Sequence, residues 1–222
     1  MKILRILLIL VVVSFSGKAQ SSVADSLLQL VKTAVNDTSQ ITFRNLLINE
    51  YYESYPDSAL KNAKELFQLS EALNFTRGMA VSLIHQGRSY TRKGDFLKAL
   101  DCLLNSLTHT GYYDAMKITA ITYFEIAKVY SEFHNLLHAD AIARNGRLYN
   151  QKAIRLLEKM QYSADPDLSL MLAGAHLETG RAYMHLRAPD SDNFDSAYYH
   201  YRRALNGFQK NKLSYLDFYI SK

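Results

Sequence analysis

Gly87 stands inside a run that otherwise reads as helix, HQGRSYTRKGDFLKALDCLLNSL from His85 to Leu107. A glycine in a helix interior costs about 1 kcal/mol relative to alanine. Gly87 therefore needs a compensating contact, such as a second helix passing too close for a Cβ. Fixed offsets surround it. Leu83 lies four residues before, Tyr90 three after, Phe96 nine after, Ala99 twelve after and Leu103 sixteen after. Around Gly180 the series returns: Tyr183 is three on, and Phe194, Ala197, Tyr201 and Ala204 repeat the spacing of Phe96, Ala99, Leu103 and Ser106. A third copy centres on Ala127, with Tyr123 four before and Tyr130 three after. Its second half, Gly146 to Ile154, fits if the connection carries seven extra residues. Asn49 to Leu66 is a weaker copy, marked by Tyr52 and Ala59.

A pattern of this kind calls for stacked units of two antiparallel helices, an all-α solenoid of helix pairs. Small residues at Gly87, Ala127 and Gly180 let the first helix approach a partner that bears Ala59, Ala99, Gly146 and Ala197. Aromatics one turn away fill the wedge. Gly94-Asp95 ends one helix and caps the next, since glycine tolerates the left-handed conformation and aspartate accepts free backbone N–H groups. Pro56-Asp57-Ser58 and Asp195-Ser196 start other second helices in the same way. Composition agrees: there are three prolines, and apolar residues recur at spacings of three and four, as in Ile118, Ile121 and Phe124.

The arrangement resembles the tetratricopeptide repeat (TPR), whose signature is Trp-x2-Leu-Gly-x2-Tyr, then Ala-x3-Phe/Tyr, then Pro. The resemblance runs from about Ile41 to Gln209 and implies a TPR-like superhelix that binds proteins or peptides. The chain departs from the pattern in three ways. It has no tryptophan, and His176 takes that position in the last copy. The closing proline is missing. Gly87, Ala127 and Gly180 are 40 and 53 residues apart, against about 34 in the family.

The expected organisation is a capping helix and linker over residues 20–40, with the helix at about Val23 to Val35. Helix pairs follow at 41–75, 79–111, 114–161 and 167–210. Ala188 to Asn193 reads as a polar loop inserted in the last pair. Residues 211–222, with LSYLDFYI from Leu213, read as the first helix of an incomplete further pair. That edge implies self-association or a longer protein.

Catalytic and metal signals are weak. His134 and His138 sit four apart, yet Asn135 stands where the zinc-protease motif needs glutamate, so surface histidines in a lengthened connection are expected. Cys102, the single cysteine, is expected to be a partly buried, unreactive thiol. The chain contains no G-x-S-x-G, no Gly-rich phosphate loop and no H-E-x-x-H. A non-enzymatic chain without cofactors or metal follows. Asn36 and Asn74 begin glycosylation sequons, which matter only in a eukaryotic secretory pathway.

The residue after each small packing position is basic: Arg88, Lys128 and Arg181. The TPR resemblance places these residues in the concave groove. One turn on lie Arg92, Glu132 and His185, and one turn earlier Ile84, Phe124 and Leu177. The expectation is a ladder of cations beside apolar rungs, which suits an acidic peptide because arginine grips a carboxylate through two hydrogen bonds. Some TPR domains clamp peptide carboxylates with groove Lys, Arg and Asn residues, so the resemblance allows it.

The N-terminus has the layout of a secretory signal over residues 1–19: a basic start, aliphatic Ile6 to Val13, and Gly17 and Ala19 before a cut ahead of Gln20. The run is shorter than the roughly 20 apolar residues of a membrane span, and nothing later is apolar enough. Removing Lys2, Arg5 and Lys18 lowers the formal net charge from +5 to +2, 23 basic against 21 acidic residues. That excess does not argue for nucleic acid. An exported chain, periplasmic or secreted, is expected. Exported arrays with a DSLLQLVKTAVNDTSQ-like leader also resemble the N-terminal regions of bacterial, Bacteroidetes-like membrane sensor proteins. Terminal sequencing of the exported protein is expected to begin at Gln20; a chain that keeps Met1 contradicts cleavage.

Overall fold

The computed structural model describes residues 23–110, 115–160, 166–184 and 191–211. The expected signal peptide and the expected helix at Leu213 lie outside the described residues. The described chain is helical throughout: α1 (23–33), α2 (Asp37–Tyr51), α3 (Pro56–Ala72), α4 (Thr76–Arg92), α5 (Phe96–Ser106), a 3-10 turn (Leu107–His109), α6 (Ala115–Leu137), α7 (Asp140–Lys159), α8 (Pro166–Met184) and α9 (Ser191–Lys210). Four antiparallel pairs result: α2 with α3, α4 with α5, α6 with α7, and α8 with α9.

The helix boundaries follow from local chemistry. Asn36 caps α2, its Oδ1 accepting from the Ser39 N–H at 2.8 Å. Pro56 opens α3 at a position where no intrahelical N–H is needed. Gly94 has φ +75°, a left-handed value that glycine adopts at little cost, and Asp95 then caps α5 through the Lys98 N–H.

The α4–α5, α6–α7 and α8–α9 pairs each close at a point of tight approach. A Cβ on Gly87 would lie 2.6 Å from Leu103 Cγ and 3.2 Å from the Ala99 carbonyl oxygen. On Gly180 it would meet the Tyr201 ring at 2.8 Å, and on Gly146 it would meet Tyr130 Cβ at 3.2 Å and the Ala127 carbonyl oxygen at 3.5 Å. Ala99, Ala127 and Ala197 are buried at these crossings. Aromatics fill the space beside them: Tyr130 stacks on Tyr149, and Tyr90 packs on the core shared by α4, α5 and α6.

The core is a series of layers, each shared by successive helices. Ile84, Leu103, Ile118 and Ile126 form one layer, and Phe124, Ile154, Leu157 and Leu168 the next. Among the described residues the first helices approach one another along the stack, α4 to α6 and α6 to α8, more closely than the second helices, of which α7 and α9 meet through the Arg203–Glu158 ion pair. First helices therefore form the inner, more closely spaced side of the solenoid.

Two expectations change. The seven extra residues of the third pair extend its helices instead of its connection, since α6 has 23 residues, α7 has 20 and only residues 138–139 separate them. α9 begins at Ser191, inside the expected polar loop and a turn before Asp195. Gly87→Ala is expected to destabilise by about 1–3 kcal/mol, because the branched Leu103 carbon must move. Gly146→Ala, with a looser contact, should stay within about 1 kcal/mol of the parent as helix propensity offsets it. Urea unfolding of both variants is the check.

Candidate functional site

The inner face is built around the positions that follow the small residues. Arg88, Lys128 and Arg181 project from α4, α6 and α8, each beside its packing residue. Three positions earlier on the same helices stand His85, Glu125 and Glu178. Residues three apart on a helix are neighbours, so the second series lies beside the first.

Glu125 joins two rungs. Its Oε2 lies 3.1 Å from Lys128 Nζ within α6, and its Oε1 lies 3.7 Å from Arg88 Nε of α4. Glu178 accepts from Arg181 at 3.2 Å and from the Ser131 hydroxyl of α6 at 3.3 Å. In α4 the equivalent residue is His85, whose Nε2 meets Asn45 Oδ1 of α2 at 3.2 Å. The amide oxygen can only accept, so Nε2 carries the proton. Burial, then the Arg88 charge, holds the His85 imidazole down at about 3, and it is neutral near pH 7.

Tyr52 completes the upper end. The Arg88 guanidinium lies 4.4 Å from its ring centroid, and Arg92 pairs with Glu53 at 2.8 Å. Burial works against the charged forms of Arg88 and Lys128, but Glu125, with help from Tyr52, outweighs it and raises both pKa values. The cations are the more exposed partners, with 21, 26 and 34% of the Arg88, Lys128 and Arg181 side chains accessible, against 10 and 11% for Glu125 and Glu178. Carboxylates lie beneath and cations on top. Arg88 and Lys128 share Glu125, Arg92 pairs with Glu53, and exposed Glu132 lies one turn beyond Lys128.

The apolar rungs require correction. Ile84 and Phe124 are 5% and 2% exposed and belong to core layers between pairs. Neither can floor a groove. His185 lies outside the described residues. His134, expected at the surface, is buried with Nδ1 3.1 Å from the Ala139 carbonyl oxygen, because α6 continues past it and packs that face. Among the described residues no group of three or more metal-type side chains converges. Cys102 is half-buried, and burial followed by Asp101 pushes its thiol up to about 11.

No family model and no curated protein matches the chain. Solved structures do match. BtubC (BKLC) from P. vanneervenii superposes with a TM-score of 0.62 over 88% of this chain and 74% of that one, at 14% identity. A Podosopora anserina putative kinesin light chain with nearly identical TPR-like repeats gives 0.54 over 90% and 92%, at 13% identity. A point variant of that kinesin light chain gives 0.56 over 89% and 90%, at 13%. The fold is a TPR-like α-solenoid. No described helix is long and apolar enough to cross a membrane.

Glu125→Gln tests the buried partner of the ladder. It leaves Arg88 and Lys128 to share a neutral amide and is expected to cost about 1–3 kcal/mol, less than a fully buried pair because both cations reach solvent. NMR should show the Lys128 ammonium titrating at lower pH; an unchanged titration contradicts the pairing.

Proposed function

We propose that this TPR-like chain is a non-catalytic scaffold in an exported compartment, holding an acidic protein segment or peptide along the inner face of α4, α6 and α8. One observation carries the reading: Arg88, Lys128 and Arg181 are the outer partners of their ion pairs, held by carboxylates beneath them. A cation already fixed by an ion pair and an aromatic ring loses little further side-chain freedom on binding. A ligand carboxylate arriving from the groove meets Lys128 and Arg181 before it meets Glu125 or Glu178. The contact is charge-assisted and shared among several shallow partners, so affinity should fall with added salt. The exported location rests on the signal-like residues 1–19.

Arg88 packs on Tyr52, which makes its replacement a poor probe of binding. Lys128→Gln and Arg181→Gln remove the charge while keeping a polar side chain and are cleaner. Fluorescence anisotropy with a labelled Glu/Asp-rich peptide should show on the order of tenfold weaker binding for each, measured below the unfolding transition of each variant, which the less well paired Glu125 or Glu178 will lower. Equal binding by parent and double variant contradicts the proposal.

A further inference from the structure

The last pair holds a polar contact that the groove does not use. His176 of α8 and His200 of α9 meet through their Nδ1 atoms at 2.9 Å. Two imidazole nitrogens can bond only when one carries a proton and the other a lone pair. His176 is 3% exposed, and its Nε2 is buried without a hydrogen-bond partner. Tyr183 of α8 stacks on the His200 ring at 5.8 Å, and Tyr199 of α9 meets both imidazoles edge-on. The surrounding charges are Arg203 of α9, paired with Glu158 of α7 at 2.9 Å, and Arg147 of α7, 4.6 Å from the Tyr183 ring centroid.

A proton added to the accepting Nδ1 removes the bond and turns two N–H groups toward each other. A proton added to His176 Nε2 instead places charge on a buried imidazole with no acceptor beside it. Both outcomes favour separation of the helices. The crossing they would release is tight, for a Cβ on Gly207 would lie 2.7 Å from Ala173 Cβ.

We propose that the His176–His200 contact is an acid-operated latch: it holds α8 on α9 near neutral pH, and uptake of a proton opens the last helix pair. Burial, then His200 and Arg203, holds His176 down at about 4, and burial, then Arg203, does the same for His200. Imidazole in an unfolded chain titrates near 6.5. The stabilisation is therefore complete above that value and is lost as pH falls toward 4. Opening would also move Arg181; that consequence alone rests on the groove reading.

Hydrogen exchange of the full chain, read as protection factors from pH 8 to pH 4, tests the latch together with imidazole titrations by NMR. His176 and His200 should titrate well below 6.5. From pH 8 to pH 5 the opening constant of α8 and α9 should rise on the order of 30-fold for one such histidine. A His176→Leu, His200→Phe double variant should flatten this response in α8 and α9. It should leave that of α4 intact, where buried His85 also titrates low. A wild-type response in the double variant overturns the proposal. Should that variant not fold, titration of both wild-type imidazoles near 6.5 overturns it equally.

Discussion

The close approach of paired helices governs everything else in this molecule. At Gly87, Gly146 and Gly180 one helix comes within a methyl group of its partner. That proximity turns two amphipathic helices into one closely packed hairpin. Hairpins of this shape cannot bury both faces alone, and the layered core forms as each pair covers the next. The closer spacing of first helices then bends the stack, which leaves α4, α6 and α8 on the inside.

The inner surface inherits its chemistry from the same contact points. Successive residues turn by about 100° around a helix. Arg88 therefore sits a quarter-turn from Gly87, far enough from the crossing to reach solvent. Ile84 lies about 40° from Arg88 on the side of Gly87 and is drawn into the core, while His85 lies about 60° away on the other side. The same arithmetic applies to Phe124 and Glu125 around Lys128. Carboxylates in this second position are about nine-tenths withdrawn from water, a cost that the adjoining Lys128, Arg88 and Arg181 offset. The ladder is thus a self-supporting ion network with cations presented outward.

Much of this is legible in the amino-acid order. Small residues and aromatics at constant offsets reveal the hairpins, because only a crossing explains glycine in a helix interior. The basic register at Arg88, Lys128 and Arg181 is equally visible. The apolar rungs mislead because four residues back on a helix looks like the same face, and the 40° between them separates groove from core. Glu125 and Glu178 leave a signal too, three positions before their cations, but the matching position in α4 is His85 and the series breaks. Length changes are harder, since seven added residues can lengthen a helix or a loop. The His176–His200 contact depends on the relative register of α8 and α9, which local sequence does not reveal.

The central claim is that Gly87 is small because α5 occupies the space its side chain would need. A double-mutant cycle on Gly87→Ala and Leu103→Ala measures this directly. Truncating Leu103 removes the atom the new methyl would strike, so most of the Gly87→Ala penalty should vanish in that background, a coupling of about 1–2 kcal/mol. Additive losses would contradict the account, for they would mean that the two residues do not share a crossing.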